Sequence, residues 1–238
     1  MAEFIGRVHG HHPPALTPGY KSTVLRAPRL PLVALRTPAA EQAGPVFGHP
    51  DLGPLDNDLI RNYATTDDAI GERTILHGRV LDEHGRAVPH TMIEIWQANA
   101  GGRYRHATDN YVAALDPNFG GGGRTLTDAE GRYAFRTIKP GPYPWRNYVN
   151  SWRPAHIHFS VFGTGFAQRL ITQMYFEGDP LIKLCPIVKT IPDEGAIERL
   201  IAPLDLNASV PLDTLAYRFD IVLRGRRSTL FENRLAGN

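Results

Sequence analysis

Cysteine is nearly missing: Cys185 stands alone among 238 residues, which excludes an internal disulfide and every CxxC metal or redox motif. An excess of charge of one sign is missing too. The 26 Lys and Arg against 24 Asp and Glu leave a net charge of +2, so no strong field exists to recruit nucleic acid or an anionic membrane surface. No apolar run approaches membrane-spanning length, and the opening MAEFIGRVHGHHPPALTPGY lacks the basic-then-apolar pattern of a secretory leader. Internal repeats, charge blocks and low-complexity tracts are also lacking. The expectation is a cytoplasmic protein with neither nucleic-acid nor membrane partners, long enough for one generous domain with a full core.

Glycine and proline are plentiful, at 23 and 20 residues, and they fall between short β-rich runs, the pattern of strands joined by structured loops. Residues 1–57 read as an extended arm. Prolines recur at Pro13, Pro14, Pro18, Pro28, Pro31, Pro38, Pro45 and Pro50, and no apolar period survives between them. From Arg73 onward strands are expected at Thr74–Leu81, Thr91–Gln97, His156–Phe162, Leu170–Phe176 and Tyr217–Leu223. Turns at Asp82–Gly85 and Asp128–Gly131 suggest hairpins, the second linking Leu126–Thr127 to Arg132–Phe135. A helix is expected over Asp193–Ala202. A long Gly-rich loop, Asn99 to Gly123, and a Pro-rich one, Lys139 to Trp145, exceed what packing requires. Together these features predict an all-β fold, a β-sandwich with long functional loops and little helix, in a domain of residues 58–238.

The sharpest local motif is Ala155–His156–Ile157–His158–Phe159. On a strand, positions i and i+2 share a face, so both imidazoles project together and make half of a transition-metal site. A pair of histidines satisfied by hydrogen bonds at a sheet surface would carry the same pattern. Tyr104 and Tyr143 stand in the two long loops, and a trivalent metal can hold a phenol as phenolate despite its reference pKa of about 10. Residue types alone do not select these tyrosines from ordinary loop aromatics.

Longer stretches do. IEIWQANAGGRYRH, LDPNFGG, FRTIKPGPYPWRN, WRPAHIHF, LITQMYFEGDPLI, CPIVK and LAYRFDIVLRG, together with ALTPGYKSTVLRAPRLPL in the arm, resemble the β subunits of the protocatechuate 3,4-dioxygenases, a branch of the intradiol ring-cleaving dioxygenases. The likeness covers nearly the whole chain and departs from the pattern in the first residues, around Val46–Ala69 and at Phe162–Phe166. It implies one non-haem Fe(III) per chain held by Tyr104, Tyr143, His156 and His158, with Tyr143 and His158 as the axial pair. It further implies that Arg153 lies beside the bound ring, and that Tyr20, Trp145, Gln173 and Ile187 line the substrate and oxygen pocket. The implied reaction is that of protocatechuate with O2 to 3-carboxy-cis,cis-muconate, in aromatic catabolism through the β-ketoadipate pathway. Tyr143 would double as a base toward the substrate. The implied partner is a homologous α subunit in a large hetero-oligomer, with the arm as interface.

Three other readings compete. An intradiol enzyme for catechol or hydroxyquinol would share the metal motif but bring a helical dimerisation segment at its N-terminus, for which this Pro-rich arm has no period. A non-enzymatic β-sandwich binding module would share the TDAEGRYAF turn without needing all four ligands. A zinc hydrolase could use the HxH pair, although two phenolates suit zinc poorly.

Overall fold

The structure, a computed structural model, describes residues 16–27, 52–147, 149–162, 169–223 and 225–230. Most of the expected arm, and Gly163–Phe166, therefore lie outside the described residues. A short helix α1, Lys21–Arg26, occupies part of the arm that sequence reading takes as extended. It is anchored by Thr23, whose hydroxyl donates to the carbonyls of Thr17 and Tyr20. Among the described residues no helix is long and apolar enough to cross a membrane.

Two sheets form the sandwich. In the first, β1 (Arg73–Leu81) pairs antiparallel with β4 (Arg132–Ile138) on one side. On its other side it pairs parallel with β10 (Leu215–Arg218) and then β11 (Ile221–Val222). The second sheet runs β3-β2-β7-β8-β9, from Gly122–Leu126, Met92–Trp96, His156–Phe162, Arg169–Phe176 and Ile201–Ala202. Between the sheets lies one core: Leu76, Val80, Phe135 and Ile138 from the first meet Ile93, Ile95, Ile157, Phe159, Met174 and Phe176 from the second. Burying each such side chain is worth ~1.5–3 kcal/mol. The all-β expectation holds.

The hairpin expectations do not. Both turns form as their chemistry dictates: the Asp82 carboxylate accepts from the backbone N–H of His84 and Arg86, and Asp128 from Glu130 and Arg132. Yet β1 and β2, and likewise β3 and β4, lie in different sheets. The first turn closes a short antiparallel ladder, Leu81 bridging Ala87, before the chain crosses over. Beyond that, each turn carries the chain from one layer to the other, because the apolar faces on either side of it are buried against opposite sheets.

Two further expectations are corrected in detail. The last strand is split at Phe219–Asp220, although β10 and β11 keep one register along β1. Here the Phe219 carbonyl accepts the Tyr133 hydroxyl, and the Asp220 side chain accepts the Arg79 N–H in place of a backbone carbonyl. Gly78 leaves room for that carbonyl, which any Cβ would overlap. The helix, α2, is only Glu194–Glu198. Residues 200–202 join the free edge of β8 instead, with Leu200 accepting from Tyr175 N–H at 2.7 Å and Ala202 from Glu177 N–H at 3.1 Å.

Candidate functional site

The outer face of the second sheet carries the chemistry. On β7, Ile157, Phe159 and Val161 enter the core, so His156, His158 and Ser160 face the other way. That side is not left to solvent. The two long loops, a β5–β6 ribbon (Tyr143–Pro144 with Trp152–Arg153) and the segment from Ile182 to Leu200 cover it, leaving His156 and His158 buried.

Backbone contact between the loops sets the tyrosines. Gly102, at φ +80°, and Gly141 each sit where a Cβ would overlap a carbonyl oxygen of the other loop, Pro142 and Ala100 respectively. Gly141 N–H donates to Asn99 at 3.0 Å, while the Asn99 side chain accepts from the N–H of Gly101 and Arg103. Arg103 ties the loop down further through the carbonyls of Asp109, Tyr111 and Ala113. Tyr104 N–H is held by the Asp109 carboxylate at 2.8 Å.

The result is a convergence of donor atoms. Nδ1 of His156 donates to the Pro154 carbonyl at 2.7 Å, an assigned tautomer that leaves Nε2 as the lone-pair nitrogen. The Tyr104 and Tyr143 hydroxyls lie 3.4 and 3.3 Å from that same Nε2. His158 completes the group, its ring centroid 4.9 Å from that of His156 and 6.3 Å from that of Tyr104. Two donors bound to one ion at roughly 2.0–2.2 Å sit roughly 3–3.6 Å apart. The observed spacing fits a shared metal. Among the described residues no three His, Cys, Asp or Glu side chains cluster to hold one, so any such centre here depends on the phenols. Burial first, then Arg153 and His158, push the His156 pKa well below the ordinary histidine value, so its imidazole is neutral and able to ligate.

Arg153 lies opposite Tyr143 in the ribbon. It is 3% exposed, donates to Gln173 Oε1 and lies 5.7 Å from the Trp145 ring. Its Nε is buried without a hydrogen-bond partner. Burial opposes its charge, but the side chains of Tyr175, Tyr143, Cys185 and Tyr104 more than offset this and hold its pKa above the usual arginine value. Trp145 meets Tyr20 edge-on at 4.6 Å, and Lys21 N–H donates to the Asn147 carbonyl, which clamps the arm on the ribbon. Ile187 belongs to the apolar cluster beside Tyr175, against which Tyr20 and Trp145 also pack.

Every residue singled out from sequence thus falls in one neighbourhood. Two others were missed. Trp96 pairs with His158 across β2–β7 and stacks on its ring at 4.9 Å and 2°. Tyr175 pairs with His156 across β7–β8. The period of two from Gln173 marks Tyr175 as sharing its face, but the pairing register that places it beside His156 is not written locally. A cleft of about 530 Å3 lined by His77, Arg79, Arg132 and Arg218, among others, shares none of the site residues. Convergent donors mark this site better than depth does.

Comparison with known proteins agrees with this picture. The model of the protocatechuate 3,4-dioxygenase beta subunit N-terminal region matches residues 7–37, and that of the dioxygenase domain matches residues 42–225. The protocatechuate 3,4-dioxygenase beta chain of Burkholderia cepacia is 52% identical over 93% of this chain and 94% of its own length. The corresponding alpha chain of Pseudomonas putida is 32% identical over 85% of this chain and 98% of its own. Among solved structures, catechol 1,2-dioxygenase from Acinetobacter sp. ADP1 superposes with a TM-score of 0.52 at 26% identity, over 71% of this chain and 61% of that one. The sheets, the covered outer face and these matches lead to one conclusion: the chain belongs to the protocatechuate 3,4-dioxygenase beta-chain family of intradiol dioxygenases.

Proposed function

We propose that this chain is the iron-bearing subunit of an intradiol dioxygenase that cleaves protocatechuate with O2 between its two hydroxyl-bearing carbons, giving 3-carboxy-cis,cis-muconate. The observation that carries the reading is the approach of two phenol oxygens to one imidazole nitrogen, at 3.3 and 3.4 Å. Hard anionic phenolates with imidazoles favour a trivalent ion over a divalent one, so Tyr104, Tyr143, His156 and His158 would hold Fe(III). When bound, the ferric ion supplies Lewis acidity, which makes catechol hydroxyls acidic and draws density from the ring so that a ring carbon reacts with O2.

The chain's own groups do the rest. Oη of Tyr143, as phenolate, accepts a proton from one catechol hydroxyl, which is why a tyrosine is of more use there than a third histidine. Arg153 stays cationic beside Tyr143 and stabilises the negative charge that develops on the ring, with its buried Nε–H aimed at no protein acceptor. Gln173 fixes the guanidinium. Tyr20, Trp145 and Ile187 bound the ring and keep water out. A homologous alpha chain is the partner, and residues 1–57 serve as interface arm to the 58–238 domain. The buried free thiol of Cys185 and the lack of any disulfide suit a reducing cytoplasm.

A visible spectrum of the aerobically purified complex, before and after anaerobic protocatechuate, tests this. Tyrosinate on Fe(III) gives a broad charge-transfer band, and a red-brown protein whose band shifts with protocatechuate is expected. A colourless protein with full iron content would remove the ligand assignment. A protein that turns over catechol far better than protocatechuate would replace the substrate.

A further inference from the structure

We propose that Tyr175 is a positioning residue of this site: its phenol, through the amide oxygen of Gln173, holds the Arg153 guanidinium in place. The inference rests on the function proposed above and adds a residue to it. Tyr175 is 1% exposed and faces the site beside His156, its ring centroid 6.2 Å from the imidazole. Its hydroxyl donates to Gln173 Oε1 at 3.4 Å, and that same oxygen accepts the Arg153 Nη2–H. Gln173, two residues earlier on β8, shares the face and is 3% exposed.

The chemistry needs such a brace. Among the described residues Arg153 forms no salt bridge, so what orients the buried guanidinium is the Gln173 amide oxygen and the Trp145 ring. Arginine has only donors, so the amide must present oxygen rather than nitrogen to it. A primary amide turns easily about its last torsion, which has broad preferences. A second donor on the same oxygen removes that freedom. Tyr175 supplies it from a strand whose register against β7 is fixed by seven pairings, His156↔Tyr175 through Phe162↔Arg169. The hydroxyl acts on the substrate ring only through the guanidinium, which sets Tyr175 apart from Tyr143.

The test is a double-mutant cycle in the assembled enzyme. Tyr175→Phe keeps the ring and removes one hydroxyl. The expected result is a kcat lower by roughly tenfold, the order of one lost hydrogen bond, with KM within about twofold. Placed on Arg153→Ser, the same change should lower kcat by less than about twofold, because the group it acts through is gone. Equal losses in both backgrounds would overturn the inference, as would an unaffected single variant. A crystal structure of Tyr175→Phe supplies an arm without turnover: the Gln173 amide or the Arg153 side chain should shift, and unchanged positions for both would refute the brace. Failure of the wild-type complex to cleave protocatechuate would instead sink the substrate assignment, and the cycle is then read on whichever catechol that complex cleaves.

Discussion

Gly102 and Pro142 touch backbone to backbone: the Pro142 carbonyl oxygen occupies the space where any side chain at Gly102 would begin. This contact, mirrored by Gly141 against Ala100, joins the loop bearing Tyr104 to the loop bearing Tyr143. Gly102→Ala should therefore damage the site more than the fold. At φ +80° a Cβ adds strain of about 1–3 kcal/mol, and the loops must part to accept it. Iron content and the visible band should both fall below about half of wild type while the far-ultraviolet circular dichroism is kept. Full iron loading in Gly102→Ala would separate the loop contact from metal binding.

Tyr143→Phe keeps the ring packed 5.6 Å from Tyr104 and removes the oxygen. Iron should stay bound through the remaining donors, while deprotonation of the substrate slows and kcat/KM drops by roughly a hundredfold, within the range for a lost general base. Stopped-flow binding of protocatechuate checks this, and wild-type binding kinetics would rule out the base role.

Arg153→Ser removes a buried cation opposite Tyr143. The oxidation step should suffer more than binding, with kcat down roughly a hundredfold, the cost typical of one charge-stabilising donor. Single-turnover kinetics with O2 reads the step directly, and unchanged turnover would end the proposed role.

Phe135→Ala tests the core apart from the site. Phe135 is fully buried between the sheets, in a core cluster that includes none of the four donor residues. The variant should lose about 3–5 kcal/mol of stability to the cavity, read by urea unfolding, yet keep the band of the folded protein. A bleached site in folded Phe135→Ala would mean that the sandwich core and the centre are coupled.

Acid should weaken the fold through its carboxylates. The Arg124 hydrogen bond, opposed by burial, holds Asp56 below its ordinary 3.8. A depressed folded pKa adds stability that is present above the unfolded value and is lost as pH falls through and below it. Asp56→Asn should flatten stability against pH below about pH 4, and an unchanged acid slope would show that the pair is screened out.

Much of the site was legible because its residues come in dense local phrases. The HxH spacing puts His156 and His158 on one strand face whatever the fold, and Gly and Pro in the two loops announce backbone that must bend or touch. The short helix in the arm and the shortened α2 were less legible. Six and five residues carry too little periodicity to declare themselves, and their ends are decided by what they pack against.

Sequence alone determined the all-β class, the approximate places of β1, β2, β7 and β8, the turn chemistry at Asp82 and Asp128, and the shared strand face of His156 and His158, because each depends on residues within a few positions of one another. Tertiary structure alone decided that the strands flanking each turn lie in different sheets, that Tyr217–Leu223 breaks at Phe219, and that Trp96 and Tyr175 stand beside the histidines. Those outcomes depend on which sheet buries which face. A strand's apolar pattern says that it needs a partner surface, and only the packed core says which one.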